Sequence, residues 1–269
     1  MESGNLEQLL RQTMDAFPAK SALYAVDLTT GQPIAAIRQD TRVVSASTIK
    51  VMILCCALQK VMDGRLSLEQ TVPISDADYC EDTEVFEPGY RQYDATLWEL
   101  LYWMIVSSDN TATNALLTLL GFDPINRYCA ELGLTQSCVQ RKMLDFAAVE
   151  AGRNNYTSPA DLYRIFGLLY HGKILTQPLR DVAFDFLGRS RSFDGLQRYI
   201  PDPVPVLHKP GGLDHLNHDA GIFLLEGRPY YLGIFTWDGP ALDGQPQQLR
   251  LIGRLSRMVF DYRKGGLTP

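Results

Sequence analysis

The sequence predicts an α+β fold in which one antiparallel sheet and a helical lobe belong to the same unit. Strand-like segments occur near the two ends of the chain, at residues 21–37 and 204–237, while helical periodicity fills the middle. The early and late strands must join in one sheet, with the first and last helices packed on it, because each sheet needs a covered apolar face. The third observation is an apolar helix that follows residue 47, which we expect to be buried.

Length and composition favour a single domain. The chain has 269 residues, of which 46% are hydrophobic and 21% are charged, an ordinary globular composition that can bury a sizeable core. We expect one domain over residues 1–269. Its sheet lobe combines residues 1–45 with residues 200–269, and its helical lobe spans residues 46–199.

Local patterns place the elements in chain order. Apolar residues at helical spacing predict an amphipathic helix over residues 4–17, and the turn Thr29-Thr30-Gly31-Gln32 predicts a hairpin between strands at 21–27 and 33–37. Thr96 with Glu99 forms a capping-box pattern. Further helices are predicted over residues 47–62, 96–106, 110–120, 124–132, 158–170, 178–187 and 247–262, and further strands over residues 204–208, 220–225 and 229–237.

Two stretches, residues 66–94 and 135–157, show no regular period and are expected to be loops. The first carries aromatic residues that either contact a substrate or, as we favour, pack within the loop: Tyr79, Phe86, Tyr90 and Tyr93.

Charge and cysteine content exclude several classes of function. The net charge of −6 argues against nucleic acid or an anionic membrane as a partner, since both require basic patches. No apolar run approaches the ~20 residues of a membrane span, and the first residues lack the pattern of a secretory signal. Five cysteines without a C-x-x-C pair suggest reduced thiols. We therefore expect a cytoplasmic protein, or a secreted or periplasmic one if a signal was removed.

Ser47-Thr48-Ile49-Lys50 is the first stretch that suggests chemistry. One helical turn places the serine and the lysine on the same face. A serine hydroxyl needs an adjacent base, and a lysine can serve as that base when burial or a nearby cation lowers its pKa. Taken alone, the spacing is weak evidence, and it favours a helix-capping serine followed by a surface lysine.

Two later motifs change that interpretation. Ser108-Asp109-Asn110 ends an apolar helix, and Lys209-Pro210-Gly211-Gly212 follows a strand-like segment. The ordered set S-x-x-K, S-D-N and K-[T/S]-G marks the penicillin-recognising serine enzymes. From about residue 20 to residue 262 the chain resembles the class A β-lactamases, with His218-Asp219-Ala220-Gly221 as a further matching phrase.

The resemblance implies a β-lactamase or transpeptidase-like fold and a role for each motif residue. Ser47 would be the nucleophile and Lys50 the base, while Ser108 and Lys209 would relay a proton to the leaving nitrogen. Asn110 would hold the substrate's amide carbonyl. The oxyanion would lie between the backbone N–H groups of Ser47 and Gly212. The candidate substrate-binding residues are Gly211, Gly212 and Asn217.

Three departures from the family pattern bear on turnover. Residues 141–157 lack a glutamate at the place where class A enzymes carry the one that activates water, and Asp145 and Glu150 are the only nearby acids. Pro210 replaces the hydroxyl residue of K-[T/S]-G, and Asn217 stands where the family has an arginine. Both replaced groups would bind a substrate carboxylate.

The resemblance implies no cofactor and no metal. A cluster of potential ligands does occur late in the chain, but its spacing matches no familiar zinc pattern: His208, Asp214, His215, His218 and Asp219. The implied partner is a small-molecule substrate.

Three hypotheses follow. We expect a serine hydrolase that is acylated at Ser47 by a β-lactam or a related amide or ester and that turns over ordinary penicillins slowly. The alternatives are a penicillin-binding, peptidase-like or esterase-like acyl-transfer enzyme, and a binding protein that only traps an acyl group.

Overall fold

The computed structural model describes residues 3–81, 83, 85–86, 94–201, 203–240 and 247–265. The strands are β1 (Lys20–Asp27), β2 (Pro33–Ile37), β3 (Val43–Val44), β4 (Thr71–Val72), β5 (Ala95–Thr96), β6 (Tyr156–Thr157), β7 (Val206–Leu213), β8 (Leu216–Phe223) and β9 (Tyr230–Trp237). The helices are α1 (Ser3–Asp15), α2 (Lys50–Met62), α3 (Leu97–Val106), α4 (Asn110–Leu120), α5 (Phe122–Glu131), α6 (Phe146–Glu150), α7 (Pro159–Tyr170), α8 (Gln177–Gly188) and α9 (Gln247–Lys264).

A five-stranded antiparallel sheet joins the two ends of the chain, in the order β2-β1-β9-β8-β7. Strand β1 pairs with β9 over its whole length, from Lys20 opposite Trp237 to Asp27 opposite Tyr230. The predicted union of early and late strands is therefore confirmed, and so is the α+β class. Strand β7 lies at one edge of this sheet, with β8 on one side only.

Helices cover both faces of the sheet. Helices α1 and α9 pack together on one face, where their apolar stripes form a buried cluster with the sheet: Leu6, Leu10, Met14, Leu251, Leu255 and Val259. Helices α7 and α8 pack against the other side and connect the sheet to the remaining helices. Within α2, every residue from Lys50 to Leu58 is buried. This helix is therefore enclosed on all sides, and the prediction that it is buried is confirmed.

The hairpin of β7 and β8 differs from its prediction. Strands β7 and β8 run over residues 206–213 and 216–223 rather than 204–208 and 220–225, and Leu213 pairs with Leu216 next to the turn. The proline and glycines at 210–212 suggest the end of a strand. They are tolerated here because an edge strand uses only part of its backbone N–H groups in the sheet. The strand therefore carries the third motif along the edge.

The loop regions contain short elements that periodicity does not indicate. Residues 46–49 form a 3₁₀ turn before α2 begins at Lys50. The stretch 135–157, expected to be irregular, includes the five-residue α6 and the strand β6, which pairs with β3. In the earlier loop Phe86 is buried and Tyr79 half-buried, while Tyr90 and Tyr93 lie outside the described residues. No helix in the described part of the chain has the length and apolar character to cross a membrane.

Candidate active site

Ser47 lies in a tight turn that two backbone contacts hold in place. The N–H of Ser45 donates to the carbonyl of Asn155 at 2.9 Å, and the Thr48 hydroxyl donates to the carbonyl of Ser45 at 2.7 Å. Ala46, the residue before Ser47, has a φ of 44°, a left-handed conformation that a non-glycine residue adopts only when its surroundings impose it. Ser47 itself is half-buried.

Lys50 joins the first two motifs. Its side chain is fully buried at the start of α2. Its side-chain nitrogen Nζ donates to the Ser108 carbonyl at 2.7 Å, to Ser108 Oγ at 3.1 Å and to Asn110 Oδ1 at 2.8 Å. A buried lysine requires such partners. The S-x-x-K and S-D-N motifs thus meet at one point, as the sequence predicts.

In the S-D-N motif, the middle residue caps a helix and the other two contact Lys50. Asp109 is the N-cap of α4 and accepts from the N–H of Ala112 at 2.7 Å, while its second oxygen accepts from the N–H groups of Val85 and Phe86. The capping role therefore belongs to Asp109 alone. Ser108, with a φ of 61°, and Asn110 are left to face Lys50.

The third motif runs past the Ser47 turn on β7. A Cβ atom on Gly211 would lie 2.8 Å from the backbone nitrogen of Ser47 and 2.9 Å from that of Thr48. Only glycine allows so close an approach. Gly212 is exposed, and a Cβ there would meet only Asn217 Oδ1, at 3.1 Å. Gly211 therefore brings the edge strand against the turn, and Gly212 follows it at the open side.

Lys209 is buried in the same strand, and its Nζ donates to the carbonyl of Pro210 at 3.0 Å. Burial lowers the pKa of Lys209 to about 7, against an opposing effect of the Asp219 carboxylate. No hydrogen bond between Lys209 and Ser108 is present among the described residues. The proton relay between these two side chains therefore stays a prediction.

Two cavities open on Ser47, and both are also lined by Asn110 and Gly212. The larger has a volume of about 350 Å³, and its wall includes Ser108, Pro210, Gly211, Asn217 and Leu249. The smaller measures about 170 Å³ and lies against the loop before β6, with a wall that includes Arg141, Met143, Leu144, Phe146 and Val149. All the predicted site residues except the two acids and the two lysines line one or both cavities.

A set of buried amides fixes that loop, and sequence reasoning missed it. Asn114, one turn along α4 from the S-D-N motif, accepts from the N–H of Met143 at 2.7 Å and donates to the carbonyl of Met143 at 3.3 Å. Asn155 binds the backbone of Arg141 on both sides, and the Arg141 guanidinium donates to Asn154 Oδ1 at 2.8 Å. The backbone of Met143 is thus held directly by Asn114 and, two residues earlier in the loop, through the contacts of Asn155 with Arg141.

The structure does not bring either predicted water activator to Ser47. Asp145 is the N-cap of α6, where it accepts from the N–H of Ala148 at 2.9 Å, and Glu150 is exposed at the end of that helix. Neither lines the two cavities. The helix α6 explains the correction, because it uses one acid as its cap and turns the other towards solvent.

Two of the late histidines are buried and hydrogen-bonded, and His218 also lines the larger cavity. His208 Nδ1 is 2.8 Å from Asp219 Oδ1, and His218 Nε2 is 2.9 Å from the carbonyl of Val44, just before the Ser47 turn. Burial lowers the pKa of His218 to about 4, so this ring is neutral at pH 7. Across the described ranges, no three His, Cys, Asp or Glu side chains converge in a group that could hold a metal.

The cysteines lie away from this chemistry. Burial raises the pKa of the Cys56 thiol to about 11 and that of the Cys129 thiol to about 12, which makes both poor nucleophiles. Cys55 beside them is fully buried. They are packing residues of the helical lobe, as the sequence suggests for Cys55 and Cys56.

Comparison with known proteins identifies the family of the chain. The family model described as the beta-lactamase enzyme family matches residues 5–263, and the chain belongs to that family of serine hydrolases. A beta-lactamase of Streptomyces fradiae is 29% identical over 238 residues, which cover 83% of this chain and 75% of the relative.

A solved structure of the protein PBP-A is 25% identical, with a TM-score of 0.89 over 97% of this chain and 96% of that one. A leucine-to-glutamate mutant of PBP-A, solved as an acyl-enzyme complex with penicillin G, is equally similar at 25% identity and a TM-score of 0.90. That match covers 97% of each chain.

Proposed function

We propose that this chain is a penicillin-recognising serine hydrolase in which Ser47 is acylated by a β-lactam, or by a related amide or ester, and is released slowly. The whole described chain would form one catalytic domain, with its site between a sheet lobe and a helical lobe. The substrate would be a small molecule held in the two cavities that meet at Ser47.

The acylation roles rest on the geometry around Lys50. Lys50, as the neutral amine, would take the proton of the Ser47 hydroxyl as the bond to the acyl carbon forms. The N–H groups of Ser47 and Gly212 would stabilise the oxyanion, since Gly211 brings their two backbones together. Asn110 would orient both Lys50 and the substrate, while Ser108 would return the proton to the leaving nitrogen.

The composition of the smaller cavity is the observation that supports slow release of the acyl group. The loop contributes the amides of Asn154 and Asn155 to the wall of this cavity, together with apolar side chains: Met143, Leu144, Phe146 and Val149. The one ionisable residue that lines it among the described residues is Arg141. A guanidinium cannot accept a proton from water. Without a general base, hydrolysis of the acyl-enzyme loses a factor of about 10² to 10⁴.

The likeness to PBP-A favours a second candidate, an acyl-transfer or peptidase-like enzyme that binds penicillin, because one of its solved forms carries penicillin G as an acyl-enzyme. Both candidates share acylation at Ser47 and differ in the acceptor that releases the acyl group. A binding protein that only traps the acyl group is the limiting case. No disulfide joins the cysteines in the described part of the chain, which suits a reducing compartment, so a cytoplasmic location stays our prediction.

Intact-protein mass spectrometry after mixing with penicillin G tests this proposal. We expect a covalent adduct of the full mass of penicillin G that persists for many minutes, and no adduct on the Ser47→Ala protein. Lys50→Met should slow adduct formation strongly while the protein stays folded. Rapid turnover without an accumulating adduct would refute slow release, and an adduct that survives in Ser47→Ala would refute the nucleophile.

A further inference from the structure

We infer that Asn217 presents a hydrogen-bond acceptor to the larger cavity, so that this end of the site selects substrates with a donor group, such as a carboxamide, over a free carboxylate. The inference deepens the proposed function, because it concerns the same substrate site. It begins from the hydrogen bonds between β8 and the start of α9.

The orientation of the Asn217 amide is determined by a chain of three groups. The backbone carbonyl of His215 can only accept, and it accepts from Gln248 Nε2 at 3.0 Å. Gln248 must therefore turn its oxygen Oε1 the other way, where it accepts from Asn217 Nδ2 at 3.2 Å. The His215 carbonyl therefore determines the orientation of both the Gln248 amide and the Asn217 amide.

The Asn217 oxygen is left on the cavity side. Asn217 stands opposite Gly212 in the β7–β8 pairing, and both residues line the larger cavity. Asn217 Oδ1 points towards Gly212, since a Cβ built there would lie 3.1 Å from it. In the described part of the chain no protein donor binds this oxygen. It is also not one of the buried atoms that lack a partner, so it is accessible. A ligand donor can therefore bind it.

The rest of this wall offers a carboxylate the hydroxyl groups of Thr83, Ser107 and Ser192, but no cationic side chain among the described residues. Pro210 has no hydroxyl, and the Lys209 ammonium is turned to the Pro210 carbonyl. No arginine or lysine side chain lines the larger cavity among the residues that the structure describes. A carboxylate beside Asn217 would meet an amide oxygen, which repels it, whereas a carboxamide N–H would donate to that oxygen.

The test compares penicillin G with its carboxamide, which share the ring and the acyl side chain. Binding to the Ser47→Ala protein is measured by NMR titration, because this readout needs no acylation. Acylation rates of the wild-type protein by intact mass give a second ratio. We expect the carboxamide to be favoured by about tenfold in each.

Three variants locate the preference. Gln248→Met releases the Asn217 amide, which can then rotate, and should bring the ratio close to one; Asn217→Ser, whose hydroxyl can donate or accept, should do the same if Gln248→Met folds poorly. Gln247→Met makes the same change one residue earlier on α9, outside the cavity lining, and should keep the wild-type ratio.

The two proposals fail in different ways. Tighter binding of penicillin G than of its carboxamide by Ser47→Ala, or a ratio that is unchanged in both Gln248→Met and Asn217→Ser, would overturn the assignment of Asn217. Failure of both compounds to acylate the wild-type protein would instead contradict the proposed function, while the binding ratio would still decide the polarity of the subsite.

Discussion

Replacing Gly211 by alanine should damage acylation far more than the same change one residue later. The added Cβ would lie 2.8 Å from the Ser47 nitrogen, and an ordinary contact begins at 3.4 Å, so strand and turn must separate by about 0.6 Å. The obstructing atoms belong to the backbone of the Ser47 turn and cannot rotate away. The oxyanion donors would then be misplaced relative to the nucleophile.

The size of the effect follows from that displacement. A shift of about 1 Å in a catalytic group reduces a rate by about 10²-fold, so we expect Gly211→Ala to acylate between about 10- and 100-fold more slowly. Overpacking should also lower the free energy of unfolding by about 1–3 kcal/mol. The assay is the rate of labelling by a fluorescent penicillin, with urea unfolding as the measure of stability.

Gly212→Ala is the matched control. Its Cβ would meet a side-chain oxygen at 3.1 Å, which can yield by a few tenths of an ångström, so the loss of rate should be smaller by about tenfold. Equal rates in Gly211→Ala and the wild-type protein, or equal losses in the two variants, would show that the close approach of β7 to Ser47 does not set the oxyanion geometry.

Two predictions concern pH. Because burial lowers the pKa of Lys209 to about 7, its ammonium form is lost above neutral pH; acylation should slow there, and Lys209→Arg, which stays charged, should remove that alkaline decline. The same decline in both proteins would exclude Lys209 as its source. Burial also lowers the pKa of His218 to about 4, below the value of about 6.5 in an unfolded chain. Between these values the unfolded chain binds the proton, so the free energy of unfolding should fall as the pH drops from about 6.5 to 4, by about 3 kcal/mol in total. Urea unfolding at pH 7 and pH 5 should show a smaller change in His218→Gln, and an identical change would argue against His218.

The sequence predicts the meeting of the first two motifs of the candidate site, because their chemistry requires it. A serine, a lysine three residues later and a distant S-D-N have a joint function only if they meet, and Lys50 does bind Ser108 and Asn110. The sheet follows equally from the distribution of strand-like segments. These features depend on residue types and on order along the chain, both of which are visible in the sequence.

Contacts between polar groups that are distant along the chain cannot be predicted from the sequence. Asn114 holds the backbone of Met143, and nothing near either residue indicates the other. Asp145 and Glu150 look like possible water activators until α6 is known to take one as its cap. The acceptor side of Asn217 depends on a carbonyl two residues away and on Gln248 in the last helix. Each requires the three-dimensional arrangement.

The lifetime of the acyl-enzyme in Met143→Glu tests the central claim most directly. Met143 lines the smaller cavity with Ser47, and Asn114 fixes its backbone, so a carboxylate there would face the acyl group with a defined position. We expect the penicillin G adduct to decay at least about 10²-fold faster than in the wild-type protein. Leu144→Glu offers the same test at the next position, and Ala147→Glu, exposed on α6, adds an equal charge away from the cavity and should leave the lifetime unchanged. An unchanged lifetime in both Met143→Glu and Leu144→Glu would contradict the account, because the missing step would not then be the activation of water.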